Sequence, residues 1–295
     1  MIAILITAFK EPLTIGRAID NFINNKIKQD FEIIVMAPDE ETLAEARKYS
    51  KKNKKIKLFK DPGKGKSFAI NQILPKIKSG IIFLSDGDVY VSENSVTDIL
   101  NEFKDPKVGC VTGRPYPMED KSAKYGYWAN FLFDSAHKMR LRLKQQGNFL
   151  ECSGYLWAFR NNIIKDFPLD VAEDTIVPYL FADKGYKIGY SEKSLVYVKN
   201  VDNWKDWISQ KIRTSRAHET LNKYVDIKKF PRNKTFLNEA KGIISLLKYP
   251  QSIKQFLWSM ELFFARFYMW ILVFNKVYLK KEYHKDGWQR VESTK

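Results

Sequence analysis

The sequence predicts an α/β fold: a mixed, mainly parallel sheet flanked by helices, followed by a helical C-terminal segment. Three observations carry this. Four apolar runs, at residues 2–6, 32–36, 56–59 and 80–85, alternate with segments of helical length and period. The run at 80–85 holds four consecutive apolar residues, as suits a strand covered on both faces. A tail at residues 256–279, dense in Phe, Trp, Tyr, Met and Leu, differs in kind from everything before it.

The first strand, residues 2–6, is followed by Ile15, Ala18, Ile19, Phe22 and Ile23, the i, i+3, i+4, i+7, i+8 stripe of a helix lying on a sheet. Strands at 32–36, 56–59 and 80–85 follow, with helices between them. Repetition of strand, helix, strand implies parallel pairing through right-handed crossovers. Past residue 100 the pattern loosens. Residues 108–112 read as a strand, 125–143 as a helix and 156–159 as a short strand after a glycine turn. A helix follows Glu173 and stops near Lys184-Gly185, where glycine supplies the left-handed residue that ends helices. Residues 187–190 and 195–199 complete the sheet, giving a main domain of 1–220 and a helical region of 221–295. In the tail, Glu261, Arg266, Asn275 and Lys276 interrupt the apolar residues, and 267–274 is the longest clean run, short of the ~20 residues a spanning helix needs. These polar positions do not gather on one face, so a simple amphipathic surface helix fits imperfectly. The expectation divides between a membrane-interface segment and a helix packed on the domain or on another subunit.

A chain of 295 residues with 44% hydrophobic and 14% aromatic content can bury a substantial core, which excludes wholesale disorder. Lys and Arg outnumber Asp and Glu by 50 to 34, leaving a net charge of +16. That excess calls for an anionic partner: a nucleotide, a nucleic acid or a membrane surface. The two cysteines, Cys110 and Cys152, match no metal-ligand spacing and suggest no disulfide framework, as expected for a reducing compartment. The strand-like start lacks the basic flank and cleavage site of a signal peptide, so a cytoplasmic location is expected. His137 and His218 lack ligand partners at metal spacing, His284 lies in a basic tail, and all three read as structural or solvated. Trp204 and Trp207 suit a membrane interface or core packing equally.

Chemistry concentrates in a few short runs. In Gly80-Ile81-Ile82-Phe83-Leu84-Ser85-Asp86-Gly87-Asp88 an apolar strand delivers two carboxylates to its end, where ligand sites gather in open α/β sheets. Hard oxygen donors there suit a divalent cation holding a diphosphate, with an acidic turn as the plain alternative. Upstream, Asp61-Pro62-Gly63-Lys64-Gly65-Lys66-Ser67 places unhindered amides and positive charge before a helix, a setting for phosphate although it lacks P-loop spacing. Asp39, at the end of the second strand, can accept the imide N–H of uracil. Glu173-Asp174 is either an acidic pair with a chemical task or an ordinary helix start. Gln210 and Arg213, at i and i+3, share one helix face and can both reach a diphosphate or an acceptor.

In their order and spacing these runs resemble the family 2 glycosyltransferases, inverting enzymes of the GT-A fold, and in particular the membrane-associated branch of cellulose, chitin and hyaluronan synthases. The resemblance covers residues 2–216. It implies a nucleotide-binding half over about residues 1–100, with Thr7, Ala8, Glu11 and Asp39 at the base and ribose and Gly63, Lys64, Lys66 and Asn71 at the phosphates. Asp86-Gly87-Asp88 matches the family's Asp-x-Asp signature, implying Asp88 as the direct ligand of Mg²⁺ or Mn²⁺ and Asp86 as a contact to sugar, ribose or metal-bound water. Asp174 matches the catalytic base, beside Glu173, while Ser153-Gly154 matches the acceptor turn and Trp157 offers a ring face for stacking. Gln210 and Arg213 match the Gln-x-x-Arg-Trp motif, but Thr214 replaces its tryptophan, which puts processive addition in doubt. The implied partners are a nucleotide sugar, with UDP favoured, a saccharide or lipid-linked acceptor and the inner membrane surface. Homo-oligomerisation stays open. A basic nucleic-acid-binding module is the alternative from another class, but no recognised motif of that kind is present and Asp86, Asp88 and Asp174 would be unexplained. A catalytically silent scaffold would not need those acids.

Overall fold

The computed structural model describes residues 1–233, 235, 238 and 243–288. One eight-stranded sheet organises it, with strand order β3-β2-β1-β4-β7-β6-β8-β5. The expected strands are β1 (Ile2–Thr7), β2 (Phe31–Ala37), β3 (Ile56–Lys60) and β4 (Ile81–Asp86), and they pair in parallel. Alternate residues of β1 feed opposite layers: Ile2, Ile4 and Ile6 join one core cluster, Ala3 and Leu5 the other. That two-sided burial is why the run reads as continuously apolar. The first helix, α1 (Ile15–Ile23), buries Ile15, Ala18, Ile19 and Phe22 as its stripe predicts. Next, α2 (Glu40–Ser50) starts at Asp39, whose carboxylate accepts the Thr42 N–H at 2.9 Å, and α3 (Lys66–Ile73) follows Gly65.

Beyond β4 the sheet is mixed: β4–β7, β7–β6 and β8–β5 pair antiparallel, β6–β8 in parallel. A short β5 (Val89–Val91) forms the far edge, α4 (Ser95–Glu102) follows, and β6 (Val108–Pro117) runs five residues past the expected end at 112. After α5 (Lys124–Gln145), β7 (Leu156–Arg160) lies antiparallel between β4 and β6. Following α6 (Glu173–Asp183), β8 (Lys187–Val198) is one strand where two pieces were expected. Its polar middle, Ser191 to Ser194, breaks the apolar pattern, and a register shift between Thr112 and Arg114 of β6 lets the ladder continue past it. In this strand order, chain progression reverses between β1 and β4, and the crevice at their carboxyl ends is the site such sheets use for ligands.

Past β8 come α7 (Trp204–Arg216), α8 (Ile243–Lys248) and α9 (Ile253–Phe274), the last continued by a π-helical turn at Asn275–Leu279. One face of α9 packs on α5 and α7, burying Ser259, Leu262, Ala265, Met269 and Val273. Tyr127 and Ser259 hydroxyls lie 2.7 Å apart, and the Trp128 indole donates to the Trp258 carbonyl at 2.8 Å. The opposite face leaves Leu257, Phe264, Ile271 and Phe274 exposed, so the helix is apolar all round, which is why its polar residues marked no single face. Among the described residues, 253–277 is the stretch long and apolar enough to cross a membrane. The two tryptophans divide the readings open to them. Trp207 is buried in the cluster beneath α9, while Trp204 is 41% exposed and stacks on it with ring centroids 5.5 Å apart. The cysteines, distant in sequence, meet as buried free thiols with sulfurs 3.5 Å apart.

Candidate active site

The parallel register of β1 and β4 sets Thr7 directly beside Asp86. The Thr7 hydroxyl donates to Asp86 Oδ1 at 3.0 Å, and the Gly87 N–H donates to the Thr7 carbonyl at 2.8 Å, so the Asp-x-Asp turn is pinned to the end of β1. Ala8, fully buried, continues that strand by donating its N–H to the Met36 carbonyl at 2.9 Å. Glu11, nearly buried, opens the next turn, with its N–H on the Thr42 hydroxyl at 2.8 Å.

Lys66 is the electrostatic centre of the site. Its ammonium lies 2.7 Å from Asp86 Oδ1 and 2.8 Å from Glu173 Oε1, with the Lys66 side chain 19% exposed and Glu173 8%. Burial opposes the charged ammonium, but Asp86 and Glu173 outweigh it and hold the lysine well above its usual range. The cation expected for phosphate is therefore already paired with two acids, and Asp86 is committed to Thr7 and Lys66. Asp88 lines the same cavity, of about 1350 Å³. Among the described residues no group of three or more His, Cys, Asp or Glu forms a metal cage. The donor set still fits Mg²⁺ or Mn²⁺, because such ions in nucleotide sites take one or two carboxylates and draw their remaining ligands from phosphates and water.

On the facing wall, Asp174 stands in the first turn of α6, where the helix dipole favours negative charge. Its role as the cap is excluded, since the capping residue is Ala172. Gly154 lets it approach: a Cβ there would fall 2.6 Å from Asp174 Oδ2. Ser153 lines the cavity beside it, with its N–H on the Thr112 hydroxyl at 3.0 Å. Gln210 and Arg213 of α7 enter from a third side. Tyr155 lies among these charges. Its burial, then Asp88 and Asp86, push the phenol well above its usual range against the pull of Arg213, so it stays a neutral hydroxyl.

Asp39, Asp61, Gly63 and Lys64, just past the ends of β2 and β3, lie outside the cavity lining. Asp39 accepts the Lys10 N–H at 2.8 Å as well as that of Thr42; burial opposes its charge, but these bonds win and lower its pKa. Gly63 bends the loop at φ +75° and donates its N–H to Asp61 Oδ1 at 2.7 Å. Burial raises the Asp61 carboxyl, and its Oδ2 has no hydrogen-bond partner among the described residues. Lys64 is exposed, its ammonium 5.2 Å from the Phe68 ring centroid and away from the main cavity.

Two expected contacts are spent on structure. Asn71 is not at the phosphates: its side chain donates to the Phe167 carbonyl and accepts its N–H, both at 2.8 Å, clipping α3 to the loop before α6. Trp157 is not an acceptor platform, because it is fully buried with Phe159 stacked at 5.4 Å and Phe167 against its edge. As a β7 residue its period-2 direction points into the core. His284, read from the sequence as structural or solvated, is half-buried. It lines the cavity, and burial lowers its pKa against the pull of Glu173 and Asp286. Residues 284–288 lie at the cavity mouth, with Asp286 and Trp288 among its lining. Tyr155 and Asp61 stood within the motifs and could have been chosen; Asp286 and Trp288 carry no signal, because only folding brings them within reach of residues more than two hundred positions earlier.

The arrangement joins a carboxylate over an open wall, a second carboxylate suited to a cation, a nucleotide-sized crevice and cationic side chains opposite. Residues 3–167 match the family model described as glycosyl transferase family 2; Asp174, Gln210 and Arg213 lie beyond the matched stretch. Among solved structures the chain is similar to a mannosyltransferase, PcManGT from Pyrobaculum calidifontis, in complex with GDP-Man and Mn²⁺. The two share 15% identity over 95% of this chain and 88% of that one, with a TM-score of 0.67. Similarity to TarS of S. aureus is 13% in identity over 94% of this chain and 54% of the other, with a TM-score of 0.50. At these identities the likeness is one of fold. No curated protein sequence matches the chain significantly.

Proposed function

The chain belongs to glycosyl transferase family 2, with the GT-A fold, and from that premise we propose that it is an inverting enzyme using a nucleoside diphosphate sugar, with Asp174 as its base. The observation that carries the reading is the meeting of Asp86, Asp88, Glu173, Asp174 and Arg213 in one cavity at the β1/β4 crevice. An acceptor hydroxyl, entering past Ser153 and Gly154, attacks the anomeric carbon. The bond from that carbon to the phosphate oxygen breaks on the opposite face, the nucleoside diphosphate leaves, and the hydroxyl proton passes to the Asp174 carboxylate. Gln210 and Arg213 face the departing diphosphate. Asp88 would hold a divalent cation, whose positive charge would stabilise the leaving diphosphate. Lys66 offsets part of the charge of Asp86 and Glu173, which lessens the repulsion that the crevice presents to the donor.

Asp39 and Asp61 at the base end favour a base with a ring N–H, which uracil, thymine and guanine present and cytosine lacks. Uridine, expected from Asp39, is in that set; GDP-Man is bound by the structural relative. The apolar groove of Phe131, Met139, Phe263 and Trp270 continues from the site towards α9 and favours an acceptor carried on a lipid. The exposed apolar row of α9, bounded by Lys254, Lys280 and Lys281, suits the surface of an anionic membrane on its cytoplasmic side. A surface pose is favoured over crossing because the other face of α9 is occupied by α5 and α7.

The test is a thermal-shift panel of UDP-, dTDP-, GDP- and CDP-sugars with and without Mn²⁺, paired with D174N. Metal-dependent stabilisation by a ring N–H donor is expected, with transfer lost in D174N by about 10²–10⁴-fold while stabilisation persists. Failure of every donor would refute the donor site, and unchanged turnover in D174N would refute the base.

A further inference from the structure

We propose that residues 282–288 form an autoinhibitory strap, in which Asp286 and Trp288 occupy the places of the donor's diphosphate and base. The inference rests on reading the crevice as a nucleoside diphosphate site. Asp286 accepts the Phe68 N–H at 2.8 Å and the Ser67 N–H at 3.3 Å, at the start of α3. A carboxylate on those amides makes the contact that a phosphate makes at a helix N-terminus. It comes so close that a Cβ on Gly65 would lie 2.3 Å from its carboxyl carbon. Two residues on, the Trp288 ring stacks on Phe9 with centroids 5.7 Å apart and planes 25° from parallel. Its indole N–H is directed at Asp61 Oδ1 at 3.4 Å. A flat ring on an aromatic face with an N–H towards a carboxylate is what a nucleobase with a ring N–H would present. One short stretch thus satisfies the phosphate end and the base end together.

The strap is anchored outside the site. Arg216 donates to the carbonyls of Glu282 and Tyr283 at 2.8 and 2.7 Å, and the Asp286 N–H donates to the Leu169 carbonyl at 2.9 Å. Of its other residues, Lys285 and Gly287 are exposed. Burial also disfavours the Asp286 charge, raising its pKa against the help of the two amides. A closing lid would keep Asp286 in place over bound donor, but a carboxylate and a diphosphate cannot share the same two amides. Donor binding therefore lifts the strap, and donor affinity is reduced by the fraction of molecules in which it is down.

The test compares wild type, D286A and R216A, the last lying outside the site. UDP and GDP with Mn²⁺ are titrated by calorimetry, and trypsin cleavage after Lys285 is timed with and without each nucleotide. A closed state that predominates tenfold makes both variants bind about tenfold more tightly, and nucleotide speeds cleavage of the wild-type strap. Slower cleavage on nucleotide binding would make the segment a lid and overturn the proposal, as would equal affinities in all three proteins. If no protein binds either nucleotide, the donor site itself fails and the strap with it. R216A changes a half-buried position outside the cavity and D286A one in its lining, and unchanged thermal unfolding without nucleotide shows that each is folded.

Discussion

Replacing Lys66 with Met would strand Glu173 and Asp86 without the cation they share. Two ion pairs at 2.7 and 2.8 Å disappear, between side chains that are 19%, 28% and 8% exposed. Removing one partner of a buried pair costs about 3–5 kcal/mol. The loss has a ceiling, because a stranded carboxylate can take up a proton; for a carboxyl of ordinary acidity this costs about 3–4 kcal/mol at pH 7. The lower figure governs. With the size scaling of thermal unfolding, K66M should lose roughly 7–14 °C in melting temperature at pH 7. The folded mutant then holds a proton that its unfolded chain does not, so its stability falls as pH rises. At pH 5 the same protonation costs only about 1 kcal/mol, and most of the deficit should vanish. The assay is calorimetric or fluorescence-detected unfolding of wild type, K66M and K66M/E173Q at both values, with E173Q recovering part of the loss. A K66M protein melting within about 2 °C of wild type at pH 7 would refute the central role of Lys66. So would a deficit equal at pH 5 and pH 7.

Two further outcomes test the site and the tail. Gly154→Ala places a methyl 2.6 Å from Asp174 Oδ2; displacing the base should lower kcat by about 10²-fold with donor stabilisation unchanged, and full turnover would show that the acid is not held there. Exchanging Phe264 and Ile271 for Glu, at outward positions 64% and 49% exposed, should abolish sedimentation with anionic vesicles without altering the melting temperature. Equal co-sedimentation of wild type and double variant would remove α9 from the membrane surface.

The strands that carry the site were legible because their pattern is local. Continuous apolar runs at β1, β2 and β4, each ending in a polar turn, record burial on both faces, and the stripe of α1 records burial on one. Asp86, Asp88 and Asp174 were legible for a different reason: carboxylates at element ends follow no core pattern and stand out from it. Where local chemistry had two outlets the sequence could not choose. Asn71 serves backbone groups of Phe167, Trp157 fills the core, and Lys66 meets two acids rather than phosphate alone. The order of β7, β6, β8 and β5 was equally hidden, since antiparallel insertion between distant strands leaves no period in the chain.

By itself the sequence determined the α/β class, the acids, the glycine-lysine loop and an apolar tail, all properties of residue type and near-neighbour spacing. Tertiary structure decided which of these meet. It seated Thr7 against Asp86 through strand register, placed Lys66 between acids from two elements, covered one face of α9, and carried Asp286 and Trp288 back to α3 and Phe9. Hydrogen bonds and ring stacking need contact within a few ångströms whatever the separation along the chain, so partners more than two hundred residues apart are chosen by the fold, and no local pattern announces them.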